Sequence, residues 1–177
     1  ADSPSAPAMG SSYGTPMQTW PPTFRIINPA SGKVLALSTA SDQPHDVHLA
    51  DSDPGDYLQF WTRKKGNIIH FSTSLLLTYR YDANIRVESY QHNNPKQGWA
   101  YYPECGILAC GGRTIGAVLQ KAQNEICMKN EDLGSRARDI YHLENIRRID
   151  RTNGSQQWQI VPADPNEAKR EEPKKPS

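Results

Sequence analysis

The chain has 177 residues, a net charge of +1, 22% charged and 36% hydrophobic residues, 14 prolines and 12 glycines. That length suits one domain plus tails. The balanced charge excludes the basic footprint by which nucleic-acid-binding domains hold phosphates, and no apolar run approaches the roughly 20 residues that a membrane-spanning helix needs.

Residues 1–23 are small, polar and proline-rich. Such a segment buries too little apolar surface to offset the entropy of ordering it. It reads as a flexible tail, with Trp20 as a single anchor that could lie on the domain. Residues 24–163 have a period of two. The segments FRIIN (Phe24, Ile26), KVLALS (Val34, Leu35, Leu37), DVHLAD (Val47, Leu49), NIIHF, LLLTYRY, IRVESY (Ile85, Val87) and WQIV are short and rich in β-branched or aromatic residues. Turn chemistry separates them at NPASG, DSDPGD, HNNPKQG, CGG and RTNGS. Short strands at this spacing predict an all-β barrel or sandwich. Residues 164–177 carry four acids, four bases and three prolines, and read as a charged, disordered tail.

One spelling recurs within the strand-rich region: Gln59-Phe-Trp61, Gln97-Gly-Trp99 and Gln156-Gln-Trp158. Gly66 and Gly106 follow the first two of these tryptophans, and each opens a fresh strand. Residues 26–37 lie over 68–79 without a gap, so that Ile26 meets Ile68, Leu35 meets Leu77 and Leu37 meets Tyr79. Residues 108–120 fit as a third copy with one residue of slack. Three units follow, at about 24–65, 66–105 and 106–163, the last with an insertion near 128–155. Three four-stranded units predict a closed barrel with three-fold pseudosymmetry, because closure removes the sheet edges that a small β protein must otherwise protect. In each unit an indole would plug the junction with its neighbours. The glutamine, two residues earlier on the same face of the strand, would satisfy backbone groups that the indole shields from water.

Other residues carry weaker signals. Cys105, Cys110 and Cys127 allow one disulfide and a leftover thiol, or three free thiols. Asn153-Gly154-Ser155 spells an N-glycosylation sequon. His45, Asp46, His48, Asp51 and Asp53 crowd together, but an aspartate-rich turn accounts for them better than a metal does, so neither a metal nor another cofactor is expected. No nucleophile elbow, zinc-protease helix or phosphate loop is spelled, so no enzyme is expected. Within the insertion, Ile140, Leu143, Ile146 and Ile149 fall three apart, as on one stripe of a short helix. A long insertion of this kind could dock a protein, although a decorated hairpin loop over the barrel end accounts for it as well.

The three motifs, with SGK before the second strand of the first unit, resemble the ricin B-type β-trefoil lectins over residues 24–163. The resemblance implies a β-trefoil with the three tryptophans in its core. It also implies up to one sugar pocket per repeat, in which a second-strand aspartate binds two hydroxyls, an aromatic ring stacks on the sugar and an asparagine near the Q-x-W completes the clamp. The aspartate position falls at Ala36 and Thr78, and at Leu119 or its neighbour; the cysteine position of the family's intra-repeat disulfide falls at Val34, Leu76 and about Ala117. The second repeat offers a displaced pocket instead: Asp82 as carboxylate with Asn84 beside it, Tyr90 as stacking face, and Asn93 or Asn94 as amide. The expected function is non-enzymatic recognition of a glycan or glycoprotein at a shallow surface site. Loss of the aspartate in every copy favours the alternative, a secreted effector or protease-inhibitor-like trefoil that binds protein. The chain opens on Ala1, which together with its tails points to secretion after removal of a signal peptide; the fungal-type lectins that the divergence resembles imply the cytoplasm as the alternative.

Overall fold

The computed structural model describes residues 13–40, 42, 44–120 and 140–171. Among them twelve strands run in chain order: β1 (Phe24–Asn28), β2 (Lys33–Leu37), β3 (Val47–Asp51), β4 (Trp61–Lys64), β5 (Asn67–His70), β6 (Leu76–Thr78), β7 (Arg86–Glu88), β8 (Ala100–Tyr102), β9 (Ile107–Cys110), β10 (Arg113–Leu119), β11 (Tyr141–Ile146) and β12 (Gln159–Pro162). A short helix, α1 (Pro165–Glu171), ends the described chain; Asp164 caps its first turn by accepting from Asn166 N (3.0 Å) and Ala168 is buried, so residues 165–171 are not the disordered tail that their charges suggest.

Six strands form the barrel wall. β1 pairs with both β12 and β4, β4 with β5, and β8 with β9, all antiparallel. Single backbone bonds close the remaining seams: the Trp99 N–H donates to the Gly66 carbonyl (2.9 Å) and the Trp158 N–H to the Gly106 carbonyl (2.8 Å). The other six strands make three hairpins, β2–β3, β6–β7 and β10–β11. These hairpins lean on one another, since the Val47 N–H donates to the Ile85 carbonyl and the Val87 N–H to the His45 carbonyl, both at 2.9 Å. Six wall strands and three capping hairpins in four-strand units make the fold a β-trefoil.

The core repeats in threes. Ile26, Ile68 and Leu108 are buried at matching places, as are Leu35, Leu77 and Ile115, and Leu37, Tyr79 and Ala117. Trp61, Trp99 and Trp158 are all buried in the same cluster. Each indole N–H donates to the backbone one layer in, at Leu35 O (3.2 Å), Leu77 O (2.9 Å) and Ile115 O (3.1 Å) respectively. Burying one such ring removes roughly 150–250 Å² from water, about 4–6 kcal/mol of transfer free energy, and the bond to carbonyl oxygen removes the penalty of a buried donor.

Those bonds correct the register of the third repeat. Ile115, not Val118, is the counterpart of Leu35 and Leu77. The second-strand aspartate position of the third repeat is therefore Gly116, not Leu119, and the cysteine position is Thr114, not Ala117. The first hairpin of the third repeat is two residues shorter than in the other copies, because Gly111 takes a φ of 66° and lets Arg113 pair with Cys110 across only two residues.

Three other expectations change. Ile140–Ile149 is not a helix: Tyr141–Ile146 pairs with Thr114–Leu119 over six residues, because the long edge of β10 offers backbone partners that an isolated helical turn lacks. The motif glutamines are not on the strands that carry the tryptophans; each sits in a 3-10 turn just before one. The spelling itself is also less selective than the fold. A fourth copy, Gln18-Thr19-Trp20, lies outside the barrel, where Gln18 is exposed and donates to Pro16 O, and the Trp20 N–H donates to Met17 O at 3.1 Å. Trp20 does anchor its segment. Its ring packs on Phe24 and Tyr101 and takes the Arg63 guanidinium at 4.5 Å, while the Met17 N–H donates to the Tyr101 carbonyl at 2.7 Å.

Cys105 and Cys110 are free thiols; Cys127 and residues 128–139 of the insertion lie outside the described residues.

Candidate functional site

Each repeat builds the same loop ahead of its tryptophan. A capping side chain, Asp56, Asn94 or Asn153, accepts a backbone N–H two residues on (Leu58, Lys96 or Ser155) at 2.9–3.0 Å and starts the 3-10 turn. The motif glutamine then ties the turn to the strand before it. The Oε1 atoms of Gln59, Gln97 and Gln156 accept from Asp53 N (3.0 Å), Gln91 N (2.9 Å) and Asp150 N (2.8 Å). Their Nε2 atoms donate to Asp51 O (2.8 Å), Ser89 O (2.9 Å) and Arg148 O (3.4 Å). The glycosylation sequon is thus also a capping sequence: Asn153 holds both the N–H and the hydroxyl of Ser155.

Between each such loop and the turn that begins the repeat lies a shallow cleft. The clefts of the first, second and third repeats have volumes of about 320, 470 and 500 Å³. Their walls differ. In the first, α1 supplies Glu167 beside Arg25 and Pro54. In the third, Tyr13 of the leading segment lines the rim with Glu104, Arg151 and Thr152. In the second, an exposed ring, Tyr90 at 62% exposure, stands beside Asn93, Gln91, Asn67 and Lys65.

The five residues singled out from sequence divide between two places. Tyr90, Asn93 and Asn94 line the second-repeat cleft. Asp82 and Asn84 line a different one, of about 330 Å³, with His142, Glu144 and Asn145 from β11. Asn84 donates to the Asp46 carboxylate at 2.8 Å, and Asn145 binds the carbonyls of Arg80, Tyr81 and Ala83. Within the second-repeat cleft the two asparagines differ. Asn94 is committed to its cap and to Gln91 Oε1 (2.7 Å), whereas Asn93 is exposed at the head of the turn, with a φ of 58°. Sequence reasoning missed Lys65 and Asn67. The visible signal was Lys65-Gly66 after Trp61, a left-handed pair (φ 50° and 87°) that turns the chain into the cleft.

The places where the resemblance puts aspartates hold none. Ala36 faces His48 across its hairpin, Thr78 faces Arg86 and Gly116 faces Glu144. Thr78 is buried, with its hydroxyl donating to Leu76 O and accepting from Gln97 Nε2. The crowded His45–Asp53 run is taken up by structure: Asp51 pairs with Lys33 at 2.6 Å, which holds its carboxyl below the usual range, and desolvation holds His48 below its usual pKa.

No protein-family model matches the chain, and no curated protein sequence matches it. Solved structures do. The chain is similar to the solution structure of the mdaA-1 domain (TM-score 0.58, 17% identity, 84% of this chain and 94% of that one). It is similar to the earthworm R-type lectin C-half in complex with GalNAc (TM-score 0.53, 16% identity, 80% and 98%) and to ThreeFoil, a designed three-fold symmetric protein (TM-score 0.55, 18% identity, 78% and 97%). At these identities the likeness is one of fold. It places the chain among β-trefoils of the shape that R-type lectin domains have, as the three motifs led one to expect.

Proposed function

We propose that this trefoil is a non-enzymatic carbohydrate-binding module whose sugar site is the cleft of the second repeat. The observation that carries the reading is Tyr90: a large ring left mostly in solvent above a polar cleft, on a loop pinned by Gln97 and Asn94. A sugar needs a rigid apolar face for its C–H side and polar groups at the edge for its hydroxyls. Tyr90 supplies the first, and Asn93, Gln91 and Lys65 supply the second. Such a site is open and its binding shallow, so affinity per site is weak. Asp82 and Asn84 form a separate polar surface that could contact a longer glycan.

The second reading, a protein-binding trefoil, rests on the empty aspartate positions at Ala36, Thr78 and Gly116. A protein partner for the insertion belongs to that reading; secretion is proposed under either. A glycan array separates the two. The sugar reading expects signals that Tyr90→Ala removes and Asp82→Ala weakens at most. Silence across the array with a folded protein overturns it.

A further inference from the structure

We infer that the surface around Tyr81 receives the anionic group of an acidic sugar, a carboxylate or a sulfate. This rests on the glycan reading above but uses different residues. Two cations converge on one exposed ring: Lys96 Nζ lies 4.7 Å and the Arg113 guanidinium carbon 4.2 Å from the Tyr81 ring centroid, with Tyr81 53% exposed. Their charges are therefore no more than about 9 Å apart, the sum of those two distances. Ring quadrupoles attract such cations but leave both charges in place.

Among the described residues no carboxylate lies within ion-pair distance of either cation, whereas Arg80, next in sequence to Tyr81, shares Glu88 with Arg86 (3.4 and 3.9 Å). Asp82, next in sequence to Tyr81, lines the other cleft. The Cys110 thiol beneath, which donates to the Pro95 carbonyl, is pushed up to about 11 by burial, so no thiolate neutralises the pair. Both cations are half-buried, which weakens the screening that water would give them.

The three side chains come from separate elements, each fixed by its backbone. The Lys96 N–H donates to the Asn94 side chain and its carbonyl accepts from Tyr79 N (2.9 Å). Arg113 opens β10, and Asn145 holds the Tyr81 carbonyl at 3.0 Å. Two charge-bearing donors beside a phenol, from two repeats and held in place, match an oxyanion carried on a hydroxylated ligand.

The test uses the full chain in two arms. The labelled protein is titrated with sodium sulfate against sodium chloride at equal ionic strength, and the array compares neutral, sulfated and carboxylated versions of each glycan, with a hexaglutamate peptide as competitor. Expected are saturable sulfate shifts at the 81, 96 and 113 amides, and about tenfold stronger signals for acidic glycans. Both are lost in K96Q and in K96Q/R113Q, and both are kept in K96R. Tyr90→Ala removes acidic and neutral glycan signals together. Equal signals for neutral and acidic glycans that still depend on Tyr90 overturn the inference and leave the Tyr90 site standing. Hexaglutamate competing as well as the acidic glycans, or sulfate shifts beside a silent array, overturns the sugar as ligand.

Discussion

Gln97 is 1% exposed and holds three partners: its Oε1 accepts from Gln91 N (2.9 Å), and its Nε2 donates to Ser89 O (2.9 Å) and to the Thr78 hydroxyl (3.2 Å). Gln97→Met keeps the length and volume of the side chain and removes all three bonds. A stranded buried group costs about 1–3 kcal/mol. Gln91 and Ser89 are themselves exposed, so water can reach the loop after a small opening, and Thr78 keeps its bond to Leu76 O. The low end of the range therefore applies to the two backbone groups, giving a loss of about 2–3 kcal/mol. For a chain of this size that is a fall of roughly 5–10 °C in Tm. The assay is urea unfolding followed by tryptophan fluorescence, with an unchanged slope and a lower midpoint. Gln156→Met supplies the internal comparison: its Nε2 contact is long, at 3.4 Å, so it loses about half as much. If Gln97→Met costs less than about 0.5 kcal/mol, or Gln156→Met costs more, the glutamines do not tie the loops as argued.

Gly66 and Gly106 stand at equivalent turns with φ of 87° and 78°, but a Cβ on Gly66 meets nothing within 4 Å, whereas one on Gly106 lies 3.2 Å from the backbone N and O of Trp158. Gly66→Ala is expected to cost about 1–2 kcal/mol of backbone strain and Gly106→Ala clearly more, read as a difference in urea midpoint; equal losses would contradict the contact. His70 is buried against Trp61 with Nε2 facing the Leu58 carbonyl, which places the proton there, and burial lowers its pKa below 6.5. Because the unfolded chain takes up a proton near pH 6.5 and the folded chain only at lower pH, stability is full above that value and falls as pH drops below it. Midpoints at pH 7.5 and 5.5 should show this loss, and His70→Gln should reduce it; an equal loss in the variant counts against the assignment. Cys110, with its pKa raised to about 11 by burial, should resist iodoacetamide at pH 8 until the protein is unfolded, as mapped by mass spectrometry; rapid labelling of the native protein would refute the burial.

Much of the architecture was legible because the trefoil repeats its burdens. One indole, one glutamine and one period-two hairpin per unit are needed three times, and repetition is visible in spelling. What spelling cannot carry is register. The Gly111-Gly112 turn shortened the third repeat by two residues and moved its pocket position to Gly116. The period-three run in Tyr141–Ile146 mimicked a helix because its residues alternate only weakly, and the long edge of β10 decided its state. Gln18-Thr19-Trp20 has the motif without its surroundings. The proposed site was half legible. Tyr90 and Asn93, an aromatic and an amide close in sequence, do line one cleft, but Asp82 and Asn84, equally close, face another because the β6–β7 connection turns toward β11. Lys65 comes to Tyr90 only through the barrel seam, a contact between neighbours distant along the chain.

The most direct measurement is a chemical-shift map of the full chain with the glycan that gives the strongest array signal. The account predicts that the amides of Lys65, Asn67, Tyr90 and Asn93 shift on titration while those of Ala36 and Gly116 stay still, and that Tyr90→Ala abolishes the response. Shifts centred on Ala36 or Gly116, or a response that survives Tyr90→Ala, would contradict it.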